Sequence, residues 1–218
     1  MNKTKKMTTM ALLCALSYIA MFLSRFLPPL FAAFPFLKYD PKDAIIIIGG
    51  FLYGPMAAFV ISLVVSVIEM ATISGTQIIG CIMNIASTCA FACTASVIYA
   101  RLRSVRGGVI GLFIGSVCAV ATMMVLNYAL TPLYTGMPRA AVAELLIPAI
   151  LPFNIIKCVL NSALVMIIYK PIVNILRRSK VAEFRSTDES VSRSNISIVL
   201  TALFLILSCV GAIMIINR

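Results

Sequence analysis

A long apolar run from Leu145 to Ile175 carries a lysine, Lys157, in its interior. A helix rises about 1.5 Å per residue, so about 20 residues cross a hydrocarbon core of about 30 Å. Lys157 therefore cannot lie at the end of this run unless much of the apolar length leaves the bilayer. An ammonium near the membrane centre costs from about 2.5 kcal/mol to more than 10 kcal/mol. Such a group usually points into a bundle interior, a wet cavity or a ligand.

Asn154, Lys157 and Asn161 are spaced i, i+3, i+7 and so share one helix face. One interpretation is that they only bond neighbouring helices, or that Lys157 extends to the headgroups. The functional interpretation is that they line a site for a polar solute. Further carboxamides lie in other apolar segments, at Asn84 and Asn127. Amides both donate and accept, which suits a flat heteroaromatic solute with alternating carbonyl and N–H groups on one edge.

Composition defines the fold class. Hydrophobic residues make up 61% of the chain and charged residues 11%, against about 25% charged in soluble domains. The apolar segments are too long and continuous for barrel strands, so we predict an all-α integral membrane protein. The net charge of +11 comes from short basic clusters beside apolar segments. That pattern indicates membrane orientation and contacts with membrane lipids, not nucleic acid binding.

Several kinds of chemistry are absent from the sequence. It has no histidine, no CxxC pair among its seven cysteines, and no GxxxxGK[ST] phosphate-binding loop. We therefore expect neither an enzyme nor a bound metal or cofactor.

Hydropathy predicts six helices within residues 1–180, followed by a polar cytoplasmic linker at 181–194 and an additional transmembrane helix at 195–218. Residues 131–144, rich in turn-forming and polar side chains, are expected to form a loop. The six predicted helices are Thr8–Leu27, Ala44–Leu52, Met56–Ala71, Ile78–Tyr99, Val109–Leu130 and Leu145–Ile175.

Glycines and a proline at positions 49–55 interrupt the apolar signal of the second and third helices. The segment is either one kinked helix or a hairpin of two. A hairpin places all the basic clusters on one side of the membrane, so the positive-inside rule favours it, with a cytoplasmic N-terminus. The short helix of such a hairpin can span only if it is buried in protein or extended.

The connection from Pro28 to Asp43 carries four charges, at Lys38, Asp40, Lys42 and Asp43. It is compatible with a solvated turn and with a lid over a site at that membrane face. Glu69 is the one carboxylate within an apolar segment, which makes it a candidate partner for Lys157.

Five segments together resemble, in order over about residues 7–178, the riboflavin-specific S component of energy-coupling factor (ECF) vitamin transporters. They are Phe36-Leu-Lys-Tyr-Asp-Pro-Lys-Asp43, Gly49-Gly-Phe-Leu-Tyr-Gly-Pro55, Asn127-Tyr-Ala-Leu-Thr-Pro-Leu-Tyr134, Leu151-Pro-Phe-Asn-Ile-Ile-Lys157 and Tyr169-Lys-Pro-Ile-Val173.

The resemblance implies a multi-pass protein of the cell membrane, with a six-helix S-component bundle that binds riboflavin from outside. It further implies docking onto a transmembrane coupling subunit and two cytoplasmic ATPase subunits. By the same resemblance, Asn127, Asn154 and Lys157 bond the polar edge of the flavin, with Asn84 and Asn161 as neighbours. A gate is implied at Leu37, Lys38, Tyr39 and Asp40, and a docking face for the coupling subunit at Ala11 and Ala15.

The seventh helix departs from the usual end of that family, and the sequence leaves open whether it adds a regulatory or partner contact. Two other functions are compatible with the residues alone. One is a stand-alone ion-coupled carrier of a small heteroaromatic solute, with Lys157 and Glu69 as coupling charges. The other is a membrane scaffold or receptor that transports nothing.

Overall fold

The computed structural model describes residues 3–31, 34, 37–73, 75–178 and 194–216, and these are almost entirely helical. Of the described helices, five are long and apolar enough to cross a membrane, so the predicted all-α membrane class is confirmed. Of the predicted linker, only Ser194 is among the described residues, and it opens the last helix. The helices are α1 (Lys3–Ser24), α2 (Lys42–Tyr53), α3 (Pro55–Thr72), α4 (Gln77–Leu102), α5 (Val105–Thr135), α6 (Arg139–Leu145), α7 (Leu151–Arg178) and α8 (Ser194–Ile216).

The predicted hairpin of two helices is confirmed. Gly54, at φ +90°, separates α2 from α3 in a conformation that L side chains rarely adopt. Pro55 follows as the first residue of α3, where its missing N–H costs nothing. The two helices then pack back to back so closely that a Cβ at Gly50 would lie 2.9 Å from that of Ala58.

The short helix α2 is buried in protein, as a helix too short to cross lipid alone must be. Its 12 residues rise about 18 Å, well short of the hydrocarbon thickness. It packs against α1, α3, α4 and α7, and almost all side chains from Lys42 to Gly50 are buried. Protein surrounds α2, so its polar first turn does not face lipid.

The α4–α5 pair depends on two glycines of α5. Gly111 and Gly115 lie directly against the backbone of α4, at Ala95 and Phe91. A Cβ on either glycine would come within 2.7 Å or 2.6 Å, respectively, of a carbonyl oxygen. The absence of a side chain therefore sets how closely these helices approach.

The predicted loop at 131–144 is wrong, because most of it is helical. The helix α5 continues through Pro132 to Thr135 and ends at Gly136, whose φ is +72°. Two threonine hydroxyls form hydrogen bonds along the helix on either side of Pro132. Thr131 donates to the Asn127 side chain, and Thr135 donates to the Thr131 carbonyl. The next helix, α6, then begins at Arg139.

The run that carries Lys157 forms one helical segment with an irregular turn. A π-helical turn, Leu146–Ile150, joins α6 to α7 and contains Pro148. Insertions of this kind shift the helix register and often occur at functional sites. The turn directly precedes the α7 face that bears Asn154 and Lys157.

The helices alternate in direction, which defines two ends of the bundle. The distal end, opposite the N-terminus, contains the end of α1, the beginning of α2 and residues 37–41 between them. The proximal end contains the N-terminus of α1, the α2–α3 turn and the α4–α5 turn. The last helix, α8, packs along α7.

Substitution of Gly115 by alanine is expected to destabilise the bundle by about 1–3 kcal/mol, because the new methyl group meets a backbone oxygen that cannot move aside. Thermal unfolding in detergent measures the effect. The matched control is Gly211→Ala in α8, where nothing lies within 4 Å of an added Cβ. Equal midpoints for the two variants would show that the close α4–α5 contact is not needed.

Candidate functional site

Six charged side chains meet near the distal end of the bundle. We call them the six-charge cluster: Arg25, Asp40, Lys42, Asp43, Glu69 and Lys157. Three are cations and three are carboxylates, so their formal charges cancel. Most of them are withdrawn from solvent, and buried charges persist only when they are paired and hydrogen-bonded.

Lys157 pairs with Asp43. Its Nζ lies 3.2 Å from Oδ2 of Asp43, and the side chains are 13% and 3% exposed. Thr88 of α4 donates from Oγ1 to the other carboxylate oxygen of Asp43 at 2.7 Å. Asp43 lies in the first turn of α2, so this ion pair joins α2 to the second turn of α7, with α4 as a third support.

Glu69 is not the partner of Lys157, and that expectation is wrong. Its Oε1 lies 2.9 Å from Nη2 of Arg25. Its Oε2 accepts from Lys42 at 2.5 Å and from Asn84 at 3.0 Å. The reason lies in the first turn of α2, where Lys42 reaches α3 while its neighbour Asp43 reaches α7.

The connection before α2 is not a simple solvated turn. Lys42 is fully buried and Asp43 is 2% exposed, and Lys42 also pairs with Asp40 at 2.7 Å. Burial alone would raise the pKa of Asp40, but Lys42 and Lys157, together with hydrogen bonds from Lys42, lower it below its ordinary value. The Asp40 carboxylate therefore stays ionised inside the protein.

Residues Leu37–Asp40, which we call the gate segment, are fastened to α7. Tyr39 donates its hydroxyl to Oδ1 of Asn161 at 3.4 Å, and Nδ2 of Asn161 donates to the Asp40 carbonyl at 3.1 Å. Burial, followed by the charges of Asp43 and Asp40, raises the pKa of Tyr39, so its phenol remains a neutral donor. Leu37 is buried, whereas Lys38 is exposed.

Asn127 and Asn154 are buried, at 4% and 3% exposure, and each bonds within its own helix. Asn127 donates to the Met123 carbonyl at 2.8 Å and accepts from Thr131 at 3.0 Å. Asn154 donates to the Ile150 carbonyl, in the π-helical turn, at 2.8 Å. The irregular turn thus supplies an acceptor that orients a predicted site residue.

The predicted site residues do not all lie together. Asn154, Lys157 and Asn161 do share a largely buried face of α7, as their spacing predicts. Lys157 and Asn161 reach the beginning of α2 and the gate segment, whereas Asn84 bonds Glu69 on the far side of the cluster. Their roles in binding stay predictions.

Ala11 and Ala15 lie on the exposed surface of α1. They line an apolar groove of about 600 Å³ between α1 and α3, together with Met7, Tyr18, Val60 and Val64 among others. Small residues in such a groove allow another helix to approach closely.

Four supporting residues were not recognised in the sequence: Arg25, Lys42, Asp43 and Thr88. Arg25 reads as the end of a helix, and Lys42 and Asp43 read as loop charges. A signal was nevertheless present. Because α2 is too short to span lipid alone, it had to be buried, and charges at its first turn had to be buried with it.

This chain is similar to known proteins in sequence and in fold. A sequence model of the family described as "ECF transporter, substrate-specific component" matches residues 5–169. The riboflavin transporter RibU of Staphylococcus aureus is 28% identical over 187 residues, covering 82% of this chain and 95% of that protein. The riboflavin transporter FmnP of Bacillus subtilis is 26% identical over 178 residues, covering 77% of this chain and 91% of that protein.

A solved structure of the S component of a bacterial ECF transporter superimposes with a TM-score of 0.68 at 29% sequence identity. The match covers 81% of this chain and 100% of the solved one. The bundle is therefore shared, while part of this chain has no counterpart there.

Replacing Asp43 by asparagine is expected to lower the free energy of unfolding by about 3–5 kcal/mol, because it leaves the Lys157 ammonium buried without a counter-charge. The double variant Asp43→Asn/Lys157→Met should recover part of that loss. Denaturation in detergent measures the two single variants and the double variant as one cycle. Strictly additive losses would contradict a direct ion pair.

Proposed function

The chain belongs to the substrate-specific components of ECF transporters, and on that premise we propose that it binds riboflavin and delivers it across the membrane. The observation that carries the proposal is the α7 face on which Lys157, held by Asp43, lies one turn from Asn154. The curated relatives named above, which match most of this chain, are riboflavin transporters.

The chemistry of this face suits the flavin ring. The pyrimidine-like edge of isoalloxazine alternates carbonyl oxygens with an N–H group. Asn127 and Asn154 each offer donors and an acceptor, and Lys157 offers donors to a carbonyl oxygen. Because Asp43 already balances the ammonium, the solute need not bring a negative charge, and riboflavin is neutral.

The gate segment closes the site in this proposal. Tyr39 and the Asp40 carbonyl are latched to Asn161, so Asn161 acts on the gate and does not bond the flavin. Asn84 acts indirectly, because it orients Glu69, which holds Lys42 beside Asp40. Leu37 and Lys38 complete the segment, with Leu37 on its buried side.

The positive-inside rule orients the bundle. The basic clusters lie at the proximal end, so that end is cytoplasmic, and the distal gate segment faces the outside. The clusters are Lys3, Lys5 and Lys6, then Arg101, Arg103 and Arg106, then Lys170, Arg177 and Arg178.

Energy for release comes from partner subunits in this proposal, since the sequence has no phosphate-binding loop. A transmembrane coupling subunit docks on the groove between α1 and α3, against Ala11 and Ala15, and two cytoplasmic ATPase subunits hydrolyse ATP. The ion-coupled alternative is less favoured, because Glu69 is already neutralised by Arg25 and Lys42.

Purified protein is expected to bind riboflavin at a stoichiometry of one ligand per chain, with quenching of the riboflavin fluorescence. It is not expected to bind thiamine. The variant Lys157→Met should lose about one to two decades of affinity, because a charge-assisted bond is worth about 1.5–3 kcal/mol. Fluorescence titration measures both. The control is Lys6→Met, which removes an exposed lysine at the start of α1.

Asp43→Asn/Lys157→Met keeps the buried charges balanced, so it separates loss of binding from loss of folding. Absence of quenching by the unaltered protein would refute riboflavin as the solute. Full affinity in the folded double variant would refute the role given to Lys157.

Substitution of both Ala11 and Ala15 by tryptophan should leave riboflavin affinity unchanged and abolish uptake in vesicles that contain the coupling and ATPase subunits, because close helix approach is lost. The matched control is Leu12→Trp/Leu16→Trp, on exposed positions of the same helix outside the described lining of the groove. Normal uptake by the variant with tryptophan at Ala11 and Ala15 would show that the coupling subunit docks on another surface.

A further inference from the structure

We infer that α8 is a brace that holds the gate segment closed over the site, and that it is an addition to the bundle shared with the solved S component. The inference rests on the proposed function for its ligand. The helix lies beyond residues 5–169, which match the family. The solved S component is matched in full by only 81% of this chain, so the common bundle is complete without a segment of this size.

The two sides of α8 differ. On one side Cys209 is 7% exposed, and Ala212 and Ile213 are partly buried. On the other side large apolar side chains are exposed, as expected of a surface that faces lipid: Leu203, Phe204, Leu207, Val210 and Met214. The positions of Cys209, Ala212 and Ile213, at i, i+3 and i+4, form one stripe, so α8 presents a defined inner face.

That inner face joins the gate region to α7 in one apolar cluster. The buried members from before α2 are Phe31 and Leu37, and those from α7 include Phe153 and Ile156. Phe31 packs edge to face on Phe153, with ring centroids 6.2 Å apart. Cys209 is buried among them, so α8 closes the cluster from its own side.

The braced cluster borders the site directly. Phe153 and Ile156 immediately precede Asn154 and Lys157 on α7, and Leu37 is two residues from Tyr39. Cys209 of α8 belongs to the same apolar cluster as Leu37. The same few residues therefore contact α8 on one side and the latch at Asn161 on the other.

Opening of the gate segment must withdraw Leu37 from this cluster. With α8 in place, opening separates Leu37 from apolar side chains of α7 and also from the part of the cluster that Cys209 and Ile213 form. Each methyl or methylene group that is exposed raises the free energy of opening. The gate therefore opens less often than it would without α8. Because one opening event admits and releases the solute, both its entry and its exit are slowed.

A matched pair of double variants in the full chain tests the brace. Cys209→Ala/Ile213→Ala trims the inner face, and Val210→Ala/Met214→Ala trims the outer face at the same spacing. Stopped-flow riboflavin fluorescence should show that the inner pair raises the association and dissociation rate constants together, each about five- to tenfold, while Kd changes less. The outer pair should match the unaltered protein.

Hydrogen exchange without ligand gives a second readout, which separates this inference from the choice of solute. The Leu37 amide bonds the Phe34 carbonyl at 3.0 Å and the Lys42 amide bonds Asp40 at 3.1 Å. Both should exchange faster in the inner pair than in the outer pair.

Faster exchange at these amides supports the brace even if riboflavin proves to be the wrong solute. Unchanged exchange and unchanged rates in the inner pair would overturn it. A rise in dissociation alone, with equal exchange, would also overturn it, since that result indicates a direct contact between α8 and the ligand.

Discussion

The Lys157–Asp43 ion pair is the constraint on which the rest of the structure depends. An ammonium in the middle of a membrane helix needs a counter-charge that is itself shielded from lipid. Asp43 meets that need because it lies in the buried first turn of a short helix that packs against four other helices. Lys42, the neighbour of Asp43, must then be neutralised as well, and Asp40, Glu69 and Arg25 complete a balanced set. One buried cation thus organises the distal ends of α1, α2 and α3 around α7.

This arrangement gives structural roles to residues that the proposed function also assigns to binding. A balanced buried cluster seldom adds stability over an apolar core, but removal of one member is costly. Such a cluster therefore favours specificity of structure. It fixes the direction of Lys157 and the position of the gate segment, and in the proposed function this order reduces the ordering cost of binding. Cys209 of the additional helix α8 is buried in one apolar cluster with Leu37 of the same segment.

Much of the fold follows from the sequence in physical terms. Long apolar runs define the spanning helices, glycine and proline divide α2 from α3, and the spacing of Asn154, Lys157 and Asn161 places them on one face. The pairing of Lys157 with Asp43 could not be predicted, since it depends on where α2 begins, and hydropathy does not locate that residue. The helical structure of residues 131–135 was also not predicted, because Pro132 in the sequence indicates a turn. In the structure, hydrogen bonds from the hydroxyls of Thr131 and Thr135 accompany the helix on either side of Pro132.

The most direct measurement of the central claim is an experimental structure of this chain with riboflavin bound. We predict that Nζ of Lys157 lies within about 3 Å of a flavin ring oxygen while it keeps its contact with Asp43, with the gate segment closed above. A structure in which Nζ points to the headgroups, or in which the flavin lies away from α7, would contradict it.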